Sequence, residues 1–188
     1  ASLTVAKDLL PNGSMVVGRP AERIVTVFAP EPGPMPDYVP LAPARLADTR
    51  AGKTTIDGQF AATGIQPAGS TMELTVANRG GVEPTAGAVA LNVTAVGATG
   101  TGFLTVYPCG TTQPTTSNVN YRSGVNTPNT ATAEIGANGK VCIYTSAAVH
   151  LIVDVNGYYP AGSAFTTINP ARLLDTRANG VTIDGLQQ

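Results

Sequence analysis

The chain is patterned at period two. In TMELTVA (71–77) the residues Met72, Leu74 and Val76 fall on one face, and in GAVALNVTAV (87–96) Val89, Leu91, Val93 and Ala95 do the same, with Asn92 and Thr94 opposite. GFLTVYP (102–108) and VHLIVDV (149–155) keep the habit. Successive side chains of a strand point to opposite faces, so this alternation predicts strands with one buried side. Turn-forming clusters separate the runs: ATGTG, PCGTTQP, NTPNT, ANGK and NGYYP. Together they predict eight strands, near Arg45 and over 71–77, 87–96, 102–107, 118–122, 131–135, 140–145 and 149–155. No stretch has helical periodicity. The expected class is all-β, an antiparallel β-sandwich with jelly-roll-like organisation.

A repeat overlies the strand pattern. PARLADTR (43–50) returns as PARLLDTR (170–177), and TIDG (55–58) returns as TIDG (182–185), both at a constant offset of 127 residues. The beginning of the chain matches the other end of the unit: NGSMVVGRPAERIVTVFAP, from Asn12, resembles NGKVCIYTSAAVHLIVDVNGYYP, from Asn138. A tandem array is therefore expected, with the C-terminal part of a preceding repeat at 1–30 and a Pro-rich linker at 31–40. A complete repeat follows at 41–160, then a linker and the start of the next repeat at 161–188. A period this long fits a bead on a string and not a solenoid rung.

Composition narrows the partners. Charged residues make up only 12%, the net charge is −1, and three lysines are present, Lys7, Lys53 and Lys140. Nucleic acid and anionic lipid call for clustered Lys and Arg, so neither is expected as a partner. No apolar run approaches the roughly 18 residues that span a bilayer, and no membrane insertion is expected. The opening ASLTVAKDLL lacks the basic start and apolar centre of a signal peptide, which places any export signal outside this sequence. Cys109 and Cys142 are the only cysteines. An even pair in a Thr-rich chain points to a disulfide and an oxidising compartment, with two buried free thiols as the alternative.

Catalytic constellations are hard to assemble. His150 is the only histidine, and Asp154 on the same strand face is about 13 Å away along an extended chain. No Gly-x-Ser-x-Gly or Cys-His arrangement is present. Two separated cysteines and one histidine lack metal-ligand spacing, so no metal and no cofactor are expected. The DVNG stretch (154–157) resembles a fragment of a calcium loop without the remaining oxygen ligands. The chain is read as not an enzyme.

Two other readings remain for the polar residues. Arg45, Asp48 and Arg50, with their copies Arg172, Asp175 and Arg177, form a candidate structural clasp in which an aspartate accepts paired bonds from arginine. Such a clasp is expected to specify the junction between one bead and the next. Asn118, Asn120, Tyr121 and Tyr158 form a candidate ligand surface, in which tyrosine rings stack on a sugar and amides bind its hydroxyls.

PARLADTR, ALNVTAV, GFLTVYPCG, TTSNVNY and VHLIVDVNGYYP, in this order, resemble a repeat module of actinobacterial secreted and cell-surface proteins. The resemblance covers the central unit almost end to end and carries no catalytic residue set. It implies an extracellular or cell-surface location and a repetitive build; the repeat, the Pro-rich connector, the expected disulfide and the lack of catalytic groups point to a non-catalytic structural or adhesive role. The expected partners are neighbouring repeats of the same chain or identical subunits, the latter assembling as a filament. A carbohydrate-binding accessory module of a secreted hydrolase, engaging cell-surface glycan, is the alternative.

Overall fold

The computed structural model describes residues 4–9, 15–19, 23–27, 37–168, 170–177, 180 and 182–185. They divide into two compact units, Ala1–Met35 and Pro36–Gln188. The proline-rich stretch at 31–36 lies outside the described residues.

The first unit is a three-stranded antiparallel sheet of β1 (Thr4–Leu9), β2 (Met15–Arg19) and β3 (Arg23–Val27), in that order. β2 and β3 pair with each other, from Met15 opposite Val27 to Arg19 opposite Arg23.

The second unit contains β4 (Val39–Asp48), β5 (Ser70–Thr75), β6 (Ala86–Val96), β7 (Gly102–Pro108), β8 (Val119–Tyr121), β9 (Thr127–Glu134), β10 (Lys140–Thr145) and β11 (His150–Pro160). Among the described residues the helical content is one 3-10 turn, Ala137–Gly139. The strands form two antiparallel four-stranded sheets, ordered β4-β11-β6-β9 and β5-β10-β7-β8. Pairing is nested: first with last (β4 and β11), second with seventh (β5 and β10), third with sixth (β6 and β9), fourth with fifth (β7 and β8). The strands that the amino-terminal overlay sets against β2 and β3, namely β10 and β11, thus lie in different sheets.

The alternating residues of both sheets meet in a single buried cluster. Leu46, Leu91, Val93, Leu151 and Val153 come from one sheet, and Leu74, Val76, Leu104, Val141 and Ile143 from the other, all buried. Each such side chain contributes about 1.5–3 kcal/mol on burial. Prolines within the body of a strand lie at the sheet edges, while Pro108 and Pro160 close the internal strands β7 and β11. Val39 and Pro40, set in the connector by sequence, open β4, which also holds Pro43; Pro128 lies in β9. Both are edge strands, where a missing N–H need not break an internal ladder.

Two glycines mark close approaches. At Gly157, where the β4–β11 register shifts, a Cβ would collide with the Tyr38 hydroxyl and the Val39 carbonyl. At Gly136 it would meet the backbone of Cys109. Cys109, just past β7, is joined by a disulfide to Cys142 of β10, and Tyr107 packs on the pair.

Candidate functional site

PARLADTR forms the end of β4 and the corner that follows it. Asp48 is fully buried there. Its backbone is held from two sides: its N–H donates to the Phe60 carbonyl at 3.1 Å, and its carbonyl accepts from Ala62 N at 2.8 Å. The carboxylate meets the Arg50 fork, Nε to Oδ1 at 2.9 Å and Nη2 to Oδ2 at 2.7 Å, and accepts Arg50 N at 3.3 Å. Arg45 adds Nη1 to Oδ2 at 3.1 Å and turns the rest of its guanidinium across to β11, Nε to Asp154 Oδ1 at 2.9 Å and Nη2 to Oδ2 at 3.3 Å. The Arg50 fork draws the Asp48 carboxyl below its ordinary range, against the opposing pull of burial. Hydrogen bonding to Asp154 raises Arg45 in turn, and bonding to Asp48 raises Arg50.

Every one of these contacts lies inside the second unit. Arg45, Asp48 and Arg50 tie an edge strand to its neighbour and to its own exit loop, where the sequence pattern alone had pointed to a junction between beads. Strand alternation could not foresee this, because Asp154 lies 109 residues from Arg45.

Arg172, Asp175 and Arg177 repeat the local part of the corner. Arg177 donates Nε to Asp175 Oδ1 at 2.8 Å and Nη2 to Oδ2 at 2.5 Å, with its own N–H on Oδ1 at 3.2 Å; Arg172 Nη1 stands 3.4 Å from Oδ2. The Arg177 side chain holds the Asp175 carboxyl well below the usual carboxylate range, and Arg177 is raised in return. The following turn also recurs: Ile56 N donates to the Arg45 carbonyl, and Ile183 N to that of Arg172, each at 2.9 Å.

Arg79 is the residue that sequence reasoning missed. It sits in the polar turn after β5, yet is 5% exposed. Its guanidinium grips Asp57 through Nε to Oδ2 (2.6 Å) and Nη2 to Oδ1 (2.7 Å), and donates to the carbonyls of Thr75 (2.7 Å) and Leu46 (2.8 Å). Leu46 belongs to one sheet and Thr75 to the other, so this cation bolts the two together. The bond from Arg79 lowers the Asp57 carboxyl to about 2. The Phe60 ring lies 5.1 Å below the guanidinium. An arginine between Asn78 and two glycines reads as a turn; its partners lie 22 and 33 residues away, beyond any local pattern.

The candidate ligand surface is not brought together. Tyr121 is 3% exposed, its hydroxyl 2.6 Å from Thr145 Oγ1 and donating to the Ala147 carbonyl at 2.7 Å. Tyr158 is 4% exposed, and its phenol is raised by burial first and by Glu83 second. Asn118 Oδ1 accepts Val106 N at 2.8 Å, a structural cap on β7, while Asn120 is exposed on β8. His150 Nδ1 stands 3.0 Å from Thr49 Oγ1, which also accepts Leu151 N.

A different polar surface exists on the outer face of the β4-β11-β6-β9 sheet. Arg45, Asp154, Asn92 and Thr130 are cross-strand partners in one row over four strands. They border an open cleft of about 680 Å³ whose walls include Thr54, Thr55 and Asn156. The Arg45–Asp154 pair neutralises itself, leaving amide and hydroxyl groups as the available recognition elements. Among the described residues no cluster of three or more His, Cys, Asp or Glu side chains could hold a metal ion, and no helix is long and apolar enough to cross a membrane.

Set against known protein families and curated protein sequences, the chain finds no match.

Proposed function

We propose that the chain is a non-catalytic structural and adhesive element of an extracellular or cell-surface protein, built from jelly-roll β-sandwiches in tandem. The observation that carries the reading is the recurrence of the Arg-Asp-Arg corner 127 residues on, with its aspartate-arginine fork preserved. The nested strand pairing supports the jelly roll, since winding a long hairpin produces this order. The Cys109–Cys142 disulfide favours an oxidising location, and the order of motifs is similar to that of actinobacterial secreted and cell-surface modules. Neighbouring modules, or identical subunits joined as a filament, are the partners of this reading. Antibodies raised against the chain are expected to label intact source cells or their extracellular fraction. Labelling that needs permeabilised cells would overturn the reading.

A second reading is favoured by the outer-face cleft. Its self-neutralised ion pair and unpaired amides suit a neutral polyhydroxylated ligand, as in a carbohydrate-binding accessory module. On a glycan array the oxidised chain then binds neutral saccharides, and Asn92→Ala abolishes the signal. A blank array removes this reading.

A further inference from the structure

The two copies of the corner differ in what covers them. In the first, Leu46 and Ala47 are both 0% exposed; in the second, their counterparts Leu173 and Leu174 are 79% and 58% exposed. Arg45 closes a bidentate pair with Asp154 of the neighbouring strand, whereas Arg172 turns its Nη2 to the Thr115 carbonyl at 3.1 Å. The Ile183–Arg172 backbone bond and the Asp-Arg fork are thus present in the second copy, while the cross-strand half of the arrangement is not made among the described residues.

From this contrast we infer that residues 170–177 are a docking segment held in shape at its Asp175–Arg177 corner, and that their partner is a second module of the same build, pairing through its equivalent of β11. This rests on the tandem reading above and adds the recognition chemistry. In the first copy Leu46 is buried in the core shared by both sheets, on a strand that pairs antiparallel with β11, with Asp48 opposite Ile152 and Arg45 opposite Asp154. A second module that supplies both this strand, in the same register, and the core beneath it buries Leu173 and sets a carboxylate against Arg172. Arg172 is then the specificity residue, because only an acid at that position reproduces the bidentate pair that Arg45 makes with Asp154. The Asp175–Arg177 fork holds the corner in shape beforehand, so docking orders less chain.

The register can be tested by extending the full chain. At the offset of 127, Gln188 corresponds to Ala61, so appending a second copy of residues 62–160 supplies a complete following module in frame. Hydrogen exchange read by mass spectrometry is then compared between residues 170–177 and residues 43–50. Protection of 170–177 should rise at least about 100-fold over the unextended chain, towards that of 43–50. Asp154→Ala placed in the appended copy alone should remove at least about tenfold of it, leaving 43–50 unchanged. The inference is overturned if the appended copy oxidises its cysteine pair and folds while 170–177 exchanges as before. It is equally overturned if the appended copy stays unfolded, or if the Asp154→Ala extension protects as well as its parent. Cell-surface labelling is read independently, so a negative exchange result with positive labelling rejects the docking segment and leaves the proposed location standing.

Discussion

At the scale of single residues, stability concentrates in two buried ionic knots. Asp48 accepts four hydrogen bonds from Arg45 and Arg50 with no exposed side-chain surface of its own. Removing it leaves two arginines that still reach water, at 39% and 32% exposure, so the loss falls short of that for a fully buried pair. Asp48→Ala is expected to destabilise the second unit by about 2–3 kcal/mol in urea unfolding. Arg79 has no such escape. Arg79→Met strands the Leu46 and Thr75 carbonyls and the Asp57 carboxylate, and should cost about 3–5 kcal/mol by the same measurement. The Asp57–Arg79 pair also gives acid sensitivity a location. The folded-state value for Asp57 is depressed from 3.8 to about 2, so its contribution is fully present above 3.8 and lost as pH falls through about 2. Asp57→Asn should therefore flatten the dependence of Tm on pH between about 4 and 2.

Among elements, the strands free of internal proline are the ones whose alternation is visible in sequence, as in β5, β6 and β11. β6 and β11 show it because each buries one face in the core while the other carries Asn92, Thr94 and Asp154. The two proline-bearing edge strands are harder to read. β4 is interrupted by Pro40 and Pro43 and β9 by Pro128, and proline in a run argues against a strand unless it is known to lie at an edge. That knowledge is tertiary. The tyrosines failed as a guide for a related reason: a phenol beside a turn looks exposed until its hydroxyl finds a buried acceptor, as Tyr121 finds Ala147. The Cys109–Cys142 link spans 33 residues and ties β7 to β10. By the chain-entropy account it stabilises the folded state by roughly 3–4 kcal/mol. Reduction, or Cys109→Ser with Cys142→Ser, should lower Tm by roughly 10 °C while leaving the β-sheet circular dichroism intact at low temperature.

For the whole molecule, the all-β class was legible, because it is carried by local pattern. Strand order was not, because β4 finds β11 across more than a hundred residues and no pairwise signal in one sequence marks that choice. The nested order has a mechanical consequence. Val39 stands opposite Tyr158, so the chain enters and leaves this unit side by side, with Tyr38 and Tyr159 in ring contact at 5.1 Å and Ala164 N bonded to Asp37 Oδ1 across the neck. Tension through residues 38 and 160 therefore peels β4 from β11 one rung at a time. Tension through residues 38 and 150, at opposite ends of the same ladder, loads all rungs together in shear. In single-molecule pulling the first geometry should yield at markedly lower force than the second. Pulled in the first geometry, the two sheets open early and release their length before a ladder loaded in shear would yield.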